Sequence, residues 1–199
     1  FGQMAEVVAI KRMFPKKYMF FVDIGCFHPT KYNNTYVYYK KGYRGINIDI
    51  DRIKIKRFNW VRRGDINIAK GVSSQKGEKK YWTNGFYSLV NTLDLETAMT
   101  RDDYVESIVQ MDTLTNLIDQ TQYKDRPIDL LSLDGEGHGF TILKSSDFER
   151  YDPKLIVVET LACTLDEVVD IGITKFLIAN NCNLVNWVGF SLMFRKKVT

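Results

Sequence analysis

Residues 18–51 read YMFFVDIGCFHPTKYNNTYVYYKKGYRGINIDID, and the order of apolar and polar residues in this stretch decides the fold class. Tyr18 to Ile24 is apolar except at Asp23, the pattern of a parallel strand covered on both faces. Gly25 opens a loop that runs to Asn34 and is rich in Gly, Pro and Asn. Thr35 to Lys41 reads as a helix, with Asn34 as its N-cap and Gly42 as its stop. Gly45 to Asp49 is a second strand. Strand, glycine turn, helix, strand and terminal acid together describe a nucleoside-binding half. Glycine permits the tight turn and close approach of a ligand. An acid about 20 residues further on can accept both hydroxyls of a ribose. The dinucleotide fingerprint GxGxxG is missing, because Gly25 is followed by Cys26, Phe27, His28 and Pro29. That disfavours a nicotinamide dinucleotide and favours a nucleoside ligand without a pyrophosphate.

Beyond this block the alternation continues. A basic helix is expected from about Arg52 to Trp60, and a third strand from Ile66 to Val72. Lys79 to Trp82, the turn signal Asn84-Gly85, and Ser107 to Met111 read as short strands of an inserted flap. Asp94 to Asp103 between them reads as a polar loop. Leu114 to Thr121 is a short helix, and Ile128 to Leu133 and Leu155 to Val158 are strands four and five. Leu165 to Asn181 reads as one helix weakened by Gly172. Leu184 to Val188 and Ser191 to Phe194 form a closing hairpin. This is an α/β, Rossmann-like pattern: a mainly parallel sheet with helices on both faces and a C-terminal antiparallel hairpin at its edge. With no repeat and no linker, residues 1–199 count as one domain. Phe1 as first residue suggests a segment of a longer protein.

The composition, 45% hydrophobic and 26% charged, is that of a folded globular chain. No apolar run approaches the roughly 20 residues of a membrane-spanning helix. Cys26, Cys163 and Cys182 have no metal-ligand spacing and read as reduced thiols of a cytoplasmic protein. The net charge is +4. Basic runs at Lys11-Arg12, Lys16-Lys17, Lys40-Lys41, Lys54 to Arg57 and Arg62-Arg63 read as solvated surface. Without regularly interleaved aromatics they do not make a nucleic-acid stripe. Nothing in the sequence fixes the oligomeric state.

Ligands of open parallel sheets bind beyond the carboxyl ends of the strands. Asp23, Asp49, Asp134 and Glu159 all lie at expected strand ends. Carboxylates are seldom buried without a partner, so four successive ones point to a shared crevice. Leu131-Ser132-Leu133-Asp134-Gly135-Glu136-Gly137-His138-Gly139 sets acids and a histidine between glycines at one such end, and histidine is the usual base near neutral pH.

Residues 21–51 resemble the N-terminal half of FkbM-type methyltransferases. Residues 130–159, LLSLDGEGHGFTILKSSDFERYDPKLIVVE, resemble that family's second signature, and DINIAKGVSSQKGEKKYW its third strand and following hairpin. The resemblance implies a class I methyltransferase fold, S-adenosylmethionine as cofactor and O-methylation, often of sugar or glycan hydroxyls. It places the cofactor against Asp23, Gly25, Cys26, Phe27, His28, Asn34, Thr35, Asp49, Ile50, Gly71 and Val72. Asp49 would hold the ribose, Gly71 and Val72 would border the adenine, and Asn34 and Thr35 would meet the carboxylate. His138 is the first candidate base and Asp134 the second. A divalent metal held by Asp134 and Glu159 is the other route to an activated hydroxyl. His28 reads either as a base or as a fastener of its loop, the latter preferred. Phe86 and Tyr87 in the flap are the aromatics placed to touch a carbohydrate acceptor. Pro29 stands where the family commonly has glycine, and Gly135 and Gly139 also depart from its pattern. An RNA methyltransferase and a binding module without turnover are the alternatives.

Overall fold

A computed structural model describes residues 5–14, 19–84, 92–100, 102–135 and 137–197. Phe86, Tyr87 and the Gly85 half of the expected turn lie outside the described residues. The main sheet is built from β1 (Phe20–Ile24), β2 (Arg44–Asp49), β3 (Ile66–Ala69), β7 (Leu130–Leu133), β8 (Leu155–Glu159), β9 (Cys182–Val188) and β10 (Ser191–Lys196). Its spatial order is β3-β2-β1-β7-β8-β10-β9. The pairs β3–β2, β2–β1, β1–β7 and β7–β8 are parallel, while β10 runs antiparallel to both β8 and β9. This is the Rossmann-like arrangement of class I methyltransferases. The chain leaves β1 toward β2 and β3, then returns to lay β7 on the other side of β1. The switch point between β1 and β7 is where a crevice opens.

Period-2 alternation sorts the β1 side chains. Phe20, Val22 and Ile24 join the larger core with Leu131, Leu133, Ile156 and Val158. Phe21 faces the other layer, beside Ile10 of α1 (Glu6–Met13) and Tyr38 of α2 (Tyr36–Lys40). Asp23 shares parity with Phe21 and turns toward α2 and α3 (Arg52–Val61).

Several elements differ from expectation. The third strand breaks after Ala69: Gly71–Val72 forms β4, which joins β5 (Gly77–Thr83) and β6 (Val105–Asp112) in a second sheet ordered β4-β6-β5. Gly71 presses so closely on Met111 that a Cβ there would lie 2.2 Å from its sulfur. The polar loop contains α4 (Leu95–Ala98), whose first turn Asp94 caps. After α5 (Leu114–Asp119) and β7 come α6 (Gly139–Lys144) and α7 (Phe148–Tyr151), short helices that periodicity over longer windows does not reveal. The long C-terminal helix is two, α8 (Leu165–Asp170) and α9 (Gly172–Ala179), because Ile171 between them is extended. The hairpin is not wholly at the edge either, since β10 sits between β8 and β9. Asn34 does not cap α2. Asn33 does, its Oδ1 accepting from the amides of Thr35 and Tyr36 at 3.0 and 2.8 Å. Among the described residues no helix is long and apolar enough to cross a membrane.

Candidate functional site

At the switch point Gly25 has φ +69°, and an added Cβ would lie 1.8 Å from the carbonyl oxygen of Asp134. Backbone meets backbone here, which keeps the ends of β1 and β7 together and leaves a space above them. That space is a cavity of about 290 Å³, near the lower end of the roughly 300–1,000 Å³ usual for small-molecule sites. Its apolar walls are Ile24, Ile48, Ile50, Val72, Leu93 and Met111. Its polar groups include Asp49, Asp134, Glu159, His138 and two lysines, Lys54 and Lys70. A smaller polar recess of about 40 Å³ shares Gly25, Tyr32, Asp134 and Glu159 with it and reaches Asp23, Asn33, Asn34 and Ser132.

Each acid is held differently. The Asp49 Oδ2 accepts from the Phe27 amide at 3.0 Å, and its Oδ1 from the Asp51 amide at 2.9 Å. Burial raises its pKa, with Lys54 pulling the other way. The Asp23 Oδ2 accepts from Asn33 Nδ2 and Thr35 Oγ1, both at 2.9 Å. Burial raises this carboxyl too, and Arg62 opposes the rise. Arg62 has no exposed surface. Its Nε and Nη2 meet Asp65 Oδ2 at 2.8 Å, and its Nη1 donates to Asn33 Oδ1 and Thr35 Oγ1 at 3.1 and 3.0 Å. The rings of Phe21, Tyr39 and Phe58 close over the guanidinium at 5.1–5.4 Å. Reading Arg62 as solvated surface is therefore corrected: it is the buried cation under the glycine loop. Lys54, from another of the runs read as surface, is also buried and sets its Nζ 4.9 Å from the centre of the Phe27 ring.

Asp134 opens onto the cavity, but the walls still crowd it. That crowding, the hydrogen-bonded Glu159 and the nearby Asp49 push its carboxyl up to about 8. The His138 imidazole is pushed down by burial and by Lys79, with Asp94 opposing. Near neutral pH the site therefore offers an uncharged imidazole and a protonated carboxyl. Asp134 stabilises the fold only while protonated. Its contribution is present below the ordinary value of 3.8 and is lost as pH rises toward about 8. Asp134→Asn is expected to raise Tm at pH 8–9 and to match the wild type near pH 4. Superimposable Tm-against-pH curves would contradict the raised Asp134 carboxyl.

The sequence-derived residues separate into groups. Gly25, Phe27, Asp49, Ile50, Val72, Asp134, His138 and Glu159 line the larger cavity. Asp23, Cys26 and Asn34 border only the smaller recess. Thr35 and Gly71 lie behind the walls, Thr35 bonded to Asp23 and Arg62, and Gly71 packed on Met111. His28 faces neither space. Its Nδ1 accepts from the amides of Thr30 and Lys31 at 3.2 and 3.1 Å, so it fastens the loop. Phe27 and Tyr32 carry positive φ, 52° and 49°, the backbone strain typical of ligand loops. Tyr32, Asn33 and Lys70 were not singled out from sequence, because no motif marks them; the loop brings in the first two, and the break between β3 and β4 brings in Lys70.

A family model described as "Methyltransferase FkbM domain" matches residues 23–170. The chain belongs to that family. Membership in the FkbM family implies S-adenosylmethionine as cofactor, and the larger cavity of this FkbM methyltransferase is lined by Gly25 and Asp49. No curated protein matches its sequence. Among solved structures, the crystal structure of a TehB-like SAM-dependent methyltransferase from Corynebacterium glutamicum is similar, with 14% identity and a TM-score of 0.48. The alignment covers 98% of this chain and 88% of that one.

Two features of the FkbM site fit the cofactor. Gly25 and Asp49 both line the larger cavity, which sets a bare backbone turn beside a strand-end acid. The Asn34 Oδ1 is a buried acceptor with no partner among the described residues, and Asn34 is one of the residues that line the smaller recess. A metal finds less. Asp134 and Glu159 do stand together, but among the described residues no group of three His, Cys, Asp or Glu side chains forms a metal site.

Proposed function

We propose that this protein methylates a hydroxyl group of a sugar or glycan. The observation that carries the reading is a single cavity lined both by the strand-end acid Asp49 and by His138, Asp134 and Glu159. Asp49 would hold the ribose hydroxyls of S-adenosylmethionine, Ile50 and Val72 would flank the adenine, and Gly25 with the Asn34 recess would take the amino-acid end. The cofactor supplies a methyl group already activated on a sulfonium. The remaining work is positioning, worth about 7–11 kcal/mol in ideal cases, and removal of a weakly acidic proton. The uncharged His138 imidazole accepts that proton. Protonated Asp134 is suited to donate a hydrogen bond that orients the acceptor oxygen, rather than to act as the base. The apolar walls exclude water from the transfer.

Thermal unfolding with and without S-adenosylmethionine tests the first step. A ligand at a hundredfold excess over Kd stabilises the native state by about 2.7 kcal/mol. The wild type is expected to show this shift and Asp49→Ala to lose most of it. Transfer of labelled methyl to sugar acceptors then tests the second, with His138→Ala slower by about 10²–10⁴-fold. No shift at saturating cofactor would sink the whole reading, and a shift without transfer to any glycan would sink the acceptor.

A further inference from the structure

Charge is unevenly placed on this chain. Residues 31–63 hold ten lysines and arginines but only two acids, Asp49 and Asp51, while the remainder is net acidic. Both of those acids are buried, so the outward side of α2, α3 and their loops carries cations and no carboxylate of its own. Lys31, Lys40, Lys41, Arg52, Lys56 and Arg63 are exposed, and among the described residues none of them forms an ion pair. An ordinary solvated surface intersperses both signs.

The same face presents an aromatic ring. Trp60 is 73% exposed on α3, with Lys56 one turn before it and Arg63 just beyond. The apolar side of this helix, Ile55 and Phe58, is already buried in the protein, so α3 cannot sink that side into a bilayer. Nor does the face carry the succession of open rings on which the bases of a nucleic acid would stack: Tyr38 of α2 is buried, Tyr36, Tyr39 and Tyr43 are only partly exposed, and exposed Tyr32 belongs to the lining of the cavity. What it offers is a row of cations around one indole platform. Its upper end meets the cavity: α3 begins directly after Asp49 and Ile50, and Lys31 and Arg57 act electrostatically on His28 of the glycine loop.

We propose that this face binds an acidic glycan, a chain bearing carboxylates, and leads it to the cavity mouth. The cations pair with the carboxylates and Trp60 stacks on one sugar ring. The inference rests on the glycan reading of the site and names the acceptor as anionic. It is tested by fluorescence anisotropy of a labelled oligogalacturonate, with neutral dextran oligomers and poly(U) as competitors. The cofactor-induced thermal shift is measured on the same proteins. Binding should weaken steeply with salt, fall at least tenfold in Lys56→Glu/Arg63→Glu and several-fold in Trp60→Ala, and resist dextran. The cofactor shift should be unchanged in these variants. Undiminished affinity in the double variant, or poly(U) displacing the uronate at lower concentration than unlabelled uronate itself, would overturn the proposal. Uronate binding that persists in a protein with no cofactor shift would keep this face and remove the methyltransferase reading.

Discussion

Gly25→Ala is expected to abolish cofactor binding and to destabilise the fold by about 2–5 kcal/mol, the combined scale of a left-handed non-glycine residue and an overpacked contact. The added Cβ would lie 1.8 Å from the Asp134 carbonyl oxygen and 2.9 Å from its carbonyl carbon. Neither side can yield cheaply. The Gly25 amide donates to the Ile48 carbonyl at 2.9 Å, and the Asp134 amide donates to the Ile24 carbonyl at 2.9 Å. The three strand ends are thus tied across the switch point, and parting them moves Asp49 and Asp134 together. Gly42→Ala is the control. It has φ +90° but nothing within 4 Å of its Cβ, so it incurs the backbone cost alone. Urea melts and the cofactor-induced thermal shift separate the two. Equal losses in both variants, with cofactor binding kept, would refute the crowding argument.

Arg62→Met should cost about 3–5 kcal/mol, the usual loss on removing one partner of a buried ion pair. The guanidinium ties Asp65, Asn33 and Thr35 together, and through Asn33 and Thr35 it reaches Asp23. Asp65 in turn accepts from the Gly45 amide at 3.0 Å and from Asn47 Nδ2 at 3.1 Å, so the network also braces β2. Without the cation, Asp23 and Asp65 would stay buried with only neutral hydrogen-bond donors to oppose their desolvation. Both carboxyls are already raised by burial, with Arg62 as the leading opposing charge. Its loss raises them further. A raised carboxyl is tolerated while protonated and costs stability as pH climbs past its ordinary value. The deficit of Arg62→Met should therefore be larger at pH 8 than at pH 5, and Arg62→Lys should recover only part of it, since a point charge cannot reproduce the fork. A deficit independent of pH would show that packing under Phe21, Tyr39 and Phe58, rather than charge, is what the residue provides.

The legible part of this protein was the part written in short-range pattern. The run from Tyr18 to Asp49 carries strand, turn and acid in one reading frame, because a doubly covered strand needs continuous apolar residues and Gly25 alone can make the turn. Asp49, Asp134 and Glu159 were readable as strand-end acids, and they do meet at one cavity. The FkbM membership was legible in the same blocks. What escaped was set by packing. Strand parity turns Asp23 away from the larger cavity and toward Arg62, and a basic pair in sequence gives no sign that one member is buried while its neighbour is exposed. Asn33 rather than Asn34 satisfies the first amides of α2 because the folded loop aims its side chain at Thr35 and Tyr36, which residue type cannot reveal. The place of β10 inside the sheet is likewise a tertiary outcome. A hairpin specifies that two strands are adjacent, and only the neighbour that buries Leu192, Met193 and Phe194 completely decides which of the two lies inside.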